Sequence, residues 1–187
     1  MNKYDSLLKT SLDIINNHKI NLSEEDVFNF LKITKRWTIR FNSNDRTVET
    51  IDQWGRNSIS GFFDLEGLFL FDEWKKFYDY GLTTTLADVL DLSVELRDLS
   101  EKLFNVCGKK LHANFYFSKG SESSRVSFNQ HSHNYDVIVK PIYGKSLWKI
   151  NNENILVEDQ SFLIPAGTMH SVESCVDGKL SLTINYE

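Results

Sequence analysis

The sequence predicts a mainly β protein: an antiparallel sandwich or barrel in the C-terminal part, preceded by an α-helical N-terminal part. Three observations carry this. After Gly108 the chain breaks into short segments rich in β-branched and aromatic residues, separated by turn residues, with no helical pattern between them. Before Gly108, apolar residues recur at helical spacing. The chain has 187 residues, 41% hydrophobic and 13% aromatic, which suits one full-cored domain or a core domain with an N-terminal extension.

Residues 4–17 place Leu7, Leu8, Leu12, Ile14 and Ile15 at roughly helical spacing. A second short helix is predicted from Ser23, where Asp26 completes a capping-box pattern ahead of Val27, Phe28 and Leu31. RWTIRF (36–41) alternates and is aromatic, which predicts a strand. Residues 42–60 are polar and give no assignment. GLFLF (67–71) predicts a buried strand, followed by the polar-aromatic segment DEWKKFYDYG. The clearest helix is predicted within 83–108. Thr85 and Asp88 form a capping-box pair, the apolar stripe is Leu86, Val89, Leu90, Leu96, Leu99, Leu103 and Phe104, and Gly108 is a stop. That stripe reads as a core face that packs outside the barrel. Strands are then predicted in LHANFYFS, RVSFNQ, YDVIVKPIYG, SLWKI, NILV, SFLIP, HSVES and KLSLTINY. Both prolines, Pro141 and Pro165, lie in this half, and there is no internal repeat or low-complexity linker.

Charge and composition exclude several function classes. The net charge is −5 and the pI near 5.6, so a nucleic-acid partner is not implied. The basic residues of LKITKRWTIR (31–40) are interleaved with apolar ones and read as a strand with solvated edges. No apolar run approaches the ~20 residues of a membrane span. The start, MNKYDSLLKTSLDII, reads as a polar helix and not a signal peptide. Cys107 and Cys175 are far apart and in no metal-ligand spacing, so a reduced cytoplasm is the expected setting.

The chemistry-bearing pattern is FNQHSHNYD (128–136). In a strand, residues i and i+2 share a face, so His131 and His133 project side by side. A third ligand must come from elsewhere, and His170 in FLIPAGTMHSV is the candidate, delivered by a turn on Pro165, Ala166 and Gly167. Three imidazoles converging from one side leave the other side open for substrate or oxygen. His18 and His112 read as surface or hydrogen-bonded residues.

These residues carry a resemblance. HxH, then Gly144 eleven positions after His133, then IPAGTMH, is similar to the two cupin motifs. YDVIVKPIYGKSLWKI, DQSFLIPAGTMHSVESCVDGKLSLTINYE, the NFYFS strand (114–118) and YGLTTTLADV resemble the JmjC-type cupin oxygenases, the asparaginyl hydroxylase and ribosomal oxygenase group. The likeness covers roughly residues 65–187, with weaker hints in 24–41. It implies a double-stranded β-helix core over 65–187, with residues 1–64 as an N-terminal helical or mixed extension folded against it. It also implies Fe(II), 2-oxoglutarate and O₂ as reactants. His131 then matches the first metal ligand and His170 the distal one.

Two positions depart from the family. His133 stands where the family has a carboxylate, so three neutral imidazoles would leave a divalent ion its full charge. Asp136 either orients a histidine from behind or is a strand residue facing solvent. Ser146 stands where the family carries the Lys or Arg that pairs with the far carboxylate of 2-oxoglutarate. Lys145 is adjacent but faces the other way on an ideal strand. Lys140 has the parity of Ser146 and is either a substitute anchor or a barrel-rim lysine with its head in water. Asn185 lies fifteen positions after His170, where an asparagine helps hold 2-oxoglutarate in the resembled enzymes, and Asn114 and Tyr116 add hydrogen-bonding groups inside the barrel.

Three functions follow: an Fe(II)- and 2-oxoglutarate-dependent oxygenase with a rearranged anchor; a three-histidine iron dioxygenase whose substrate itself chelates iron; and a metal- or ligand-binding cupin without turnover. The sequence ends at the last strand of the resemblance without the winged-helix region of ribosomal oxygenases. The expected substrate is therefore a small molecule or short peptide, with no nucleic acid and no membrane, and a homodimer is left open.

Overall fold

The computed structural model describes residues 3–35, 47–52, 54–120, 127–173 and 177–187. The strand expected at 36–41 and Cys175 lie outside the described residues.

Helix α1 (Lys3–Asn17) buries Leu8, Ser11 and Ile15, spaced three and four residues apart along one face. Helix α2 (Glu24–Ile33) starts at the expected capping box: Ser23 Oγ accepts from Asp26 N–H while the Asp26 carboxylate accepts from Ser23 N–H. Strands β1 (Val48–Ile51) and β2 (Ser58–Ile59) form a hairpin. GLFLF is not a strand. Leu68 and Phe69 make only isolated bridges, and Phe71 opens helix α3 (Phe71–Asp79), whose Trp74 and Tyr78 are buried.

The helix expected from Thr85 begins nine residues later. Thr84–Leu86 is strand β3, inserted between β1 and β4 (His112–Ser118). Thr84 Oγ1 accepts the Trp74 indole N–H at 2.9 Å. Asp88, the supposed capping partner, sits at φ 53°, a left-handed conformation that no helix interior tolerates, and its N–H goes to Asn114 Oδ1. Helix α4 (Val94–Cys107) is capped instead by Ser93, whose Oγ accepts from Leu96 N–H, and ends at Gly108 with φ 71°. Leu96, Leu99 and Leu103 are buried as expected, whereas Phe104 is 48% exposed.

The remaining strands follow the expected order: β5 (Phe128–His131), β6 (Asp136–Tyr143), β7 (Ser146–Ile150), β8 (Glu153–Val157), β9 (Phe162–Ile164), β10 (His170–Val172) and β11 (Lys179–Tyr186). They form two antiparallel sheets, ordered β2-β1-β3-β4-β11-β6-β9 and β5-β10-β7-β8. The outer face of the larger sheet carries Phe115, Phe117, Ile138, Leu180, Leu182 and Ile184 into one hydrophobic cluster with α1, α2, α3 and α4. The inner face turns toward the smaller sheet and encloses a cavity of about 550 Å³.

Candidate metal centre

Each histidine reaches the cavity by a different local device. His131 is the last residue of β5 and pairs with His170, the first of β10. His133 lies beyond the strand, in the connection to β6. Its carbonyl accepts from Gly167 N–H at 2.7 Å, which ties it to the turn before His170. That turn is closed by Thr168 N–H to Pro165 O, with Gly167 at φ 78°. The imidazole ring centroids lie 4.3 to 5.2 Å apart.

Hydrogen bonds select the tautomers. His131 Nδ1–H donates to Asn129 O at 2.7 Å, and His170 Nδ1–H to Thr168 O at 2.9 Å. Both rings therefore offer Nε2 as the ligand atom. His133 stacks on Tyr135, and His170 stacks on Trp148. Burial, with His131 and His170 beside it, pushes the His133 imidazole down to about 4. Burial also lowers His170, against the opposing bond to Thr168. Neutral imidazole is the form that binds a metal.

The donor set fits a first-row divalent ion. Nitrogens bound to one ion at ~2.0–2.2 Å lie about 3 Å apart. Here one ligand atom from each histidine lies within 4.8 Å of the others, so a shift of about an ångström per ring closes the set. Among the described residues no carboxylate belongs to the cluster.

Asp136 matches neither expected role. Its Oδ1 accepts from Ala166 N–H at 2.8 Å and its Oδ2 from the Tyr4 hydroxyl at 2.6 Å. It braces the turn that delivers His170 and ties α1 to that turn.

Of the residues considered for 2-oxoglutarate, only Tyr116 lines the cavity. Lys140 is overturned as an anchor. Its side chain points to the helical face, where Nζ donates to Ile15 O at 2.7 Å, and burial lowers its pKa. Parity counting failed because β6 holds a bulge. Pro141 pairs with Ser181 and Tyr143 with Leu180, so Ile142 is an extra residue and the faces exchange. Ser146 is buried beside Trp148 and accepts its indole N–H. Asn114 Oδ1 accepts from Asp88 N–H at 3.3 Å. Asn185, half-buried, is on the face of Thr183 but beyond the cavity lining.

The cation that sequence reasoning missed is Lys179. It begins β11, is 4% exposed, lines the cavity, and donates to Ser127 Oγ at 3.3 Å. The signal was in KLSLTI: Lys179, Ser181 and Thr183 alternate with Leu180, Leu182 and Ile184, and the polar set faces inward.

No family model matches the sequence, and no curated protein matches it. Solved structures do. The chain is similar to YcfD, a ribosomal oxygenase from Escherichia coli, with TM-scores of 0.59 to 0.60 and 13% to 14% identity, covering 92% of this chain and 45% to 47% of that one. YcfD in complex with cobalt and succinic acid gives a TM-score of 0.57 at 13% identity, covering 92% of this chain and 45% of that one. A cupin superfamily protein from Desulfitobacterium hafniense DCB-2 overlaps 40% of this chain and 65% of its own, at 10% identity and a TM-score of 0.34. The chain thus spans less than half the length of YcfD. The fold is a cupin-type jelly roll with a helical N-terminal part.

Proposed function

We propose that the protein is a non-haem Fe(II) oxygenase of cupin type that uses 2-oxoglutarate to hydroxylate a small molecule or peptide. The observation that carries this is Lys179, a buried cation in the same cavity as three metal-competent imidazoles. Ser127 N–H donates to Val172 O, and Ser127 Oγ accepts from Lys179. Lys179 is thus linked through Ser127 to β10, the strand that His170 opens, so one cavity offers three imidazoles and a buried cation to the two ends of an oxo-diacid.

His131, His133 and His170 would hold the ion, which supplies Lewis acidity and redox chemistry to its ligands. The chain does the rest. Lys179 fixes the cosubstrate by a charge-assisted bond. Ser181, Thr183 and Tyr116 offer hydroxyls along the same walls, and Phe128, Val137, Val139, Ile164 and Val172 keep that end dry. Overall, 2-oxoglutarate, O₂ and a C–H bond give succinate, CO₂ and an alcohol. The solved complex of YcfD with cobalt and succinic acid is in keeping with this reading.

The test is turnover. Iron-reconstituted protein under air should convert 2-oxoglutarate to equal amounts of succinate and CO₂, above a metal-free control. The third histidine favours a second reading, in which the substrate itself chelates the ion and no cosubstrate is used. O₂ uptake with a substrate alone, and no succinate, would establish that reading instead.

A further inference from the structure

The cavity has a second cation besides Lys179, and it is exposed where Lys179 is buried. Arg56 is exposed and lines the outer part of the cavity with Asn129 and Gln130, which are also exposed. Among the described lining residues there is no Asp or Glu, in a chain whose net charge is −5. Among the described residues the opening therefore carries a positive charge and no negative one. The positive charge grows when the histidines, which add no negative charge, hold a divalent ion.

Arg56 is held there by a built loop. The Asp52 carboxylate is buried and accepts from Trp54 N–H, Arg56 N–H and Asn57 Nδ2 at 3.1, 2.9 and 2.7 Å. The bond from Arg56 N–H is the main reason the Asp52 carboxyl lies below the usual carboxylate range. Gly55 turns the chain at φ 68°, and its carbonyl accepts from Asn129 N–H at 3.0 Å, which fastens the loop to β5. Among the described residues, Arg56 forms no salt bridge. Its guanidinium is a planar fork suited to a carboxylate.

We propose that Arg56 is the specificity-determining residue for the primary substrate and that this substrate carries a carboxylate, either as a small organic acid or as an acidic peptide side chain. This rests on the oxygenase reading for the word substrate, but the binding claim stands without it. Lys179, buried, takes the cosubstrate, and Arg56, exposed to solvent, takes the substrate acid. The 550 Å³ cavity falls within the usual range for small-molecule sites and exceeds what a five-carbon acid fills.

The experiment is calorimetry on manganese-loaded protein without O₂, with 2-oxoglutarate present. It uses two- to six-carbon monocarboxylic acids, their primary amides, and acetylated aspartate and glutamate amides as the peptide arm. At least one acid should bind about tenfold or more tightly than its amide, the size of one charge-assisted pair. Arg56→Gln should abolish that preference, and Arg56→Lys should restore part of it. Because Arg56 is exposed, these variants should keep the wild-type Tm. 2-Oxoglutarate affinity should be unchanged in Arg56→Gln. Preference confined to the acetylated amino-acid amides identifies a peptide substrate, and preference among the free acids a small molecule. If no acid outbinds its amide, or Arg56→Gln leaves the preference intact, the assignment is wrong. Absence of 2-oxoglutarate binding would count against the cosubstrate reading alone, since the acid–amide comparison can be repeated without it.

Discussion

Strand β11 meets two different environments with alternate residues. Leu180, Leu182 and Ile184 enter the cluster formed with the helices. Lys179, Ser181 and Thr183 face the cavity and the three histidines. β6 divides in the same way, Ile138 and Lys140 going to the helices and Val137 and Val139 to the cavity. One set of backbone hydrogen bonds thus supports a face whose changes cost stability and a face whose changes cost binding. The helical N-terminal part covers the outer side, while on the inner side Val137, Val139, Trp148, Ile164 and Val172 form a second, smaller hydrophobic cluster beside the polar residues of β11.

The sharpest way to break this division is to truncate a ligand. His170→Ala should abolish stoichiometric iron binding, read by metal analysis, and His131→Ala and His133→Ala should do the same. Retained iron in any variant would remove that residue from the centre. Next in size is the outer face, where Leu99 is fully buried in α4. Leu99→Ala should cost about 2–5 kcal/mol by denaturant unfolding through lost packing and a cavity. The variant should still bind one iron per chain.

Gly144→Ala crosses the division. Gly144 sits at φ 77°, and a Cβ there would lie 2.0 Å from Gly178 O and 2.8 Å from Lys179 Cα. The backbone that starts β11 must move, at a cost of roughly 1–3 kcal/mol. 2-Oxoglutarate affinity should fall with it, because Lys179 moves. An unchanged affinity would separate Lys179 from the cosubstrate.

The smallest effect is expected at Lys140. Lys140→Met removes one bond to Ile15 O and a buried charge, and stability should change by less than about 1.5 kcal/mol. 2-Oxoglutarate affinity should not change. A lost affinity would return Lys140 to the cavity against the observed geometry.

The histidine cluster was legible because its signals are local, although His133 lies past the end of β5 and is placed by the connection to β6 and its bond to Gly167, not by the strand face. The alternation of KLSLTI carried the signal for Lys179, but the reading of Lys140 as the cation failed because its face depends on register. A bulge at Ile142 exchanges the faces of β6, and no count from Ser146 back to Lys140 can see it. The early helix start failed for a related reason. Thr85 and Asp88 match a capping box, but β1 and β4 recruit Thr84–Leu86 as a strand, and tertiary pairing overrides a four-residue pattern. GLFLF was misread because an apolar run alone does not separate a strand from the lead-in to a helix.

The central claim is that one cavity holds both a three-histidine site for a metal and Lys179 as the cation for an oxo-diacid. The direct measurement is anaerobic calorimetric titration of iron-loaded wild-type and Lys179→Met protein with 2-oxoglutarate. Micromolar binding by the wild type that weakens about a hundredfold in Lys179→Met, with iron content unchanged, is the predicted result. Equal binding by both proteins, or none by the wild type at millimolar concentration, would contradict it.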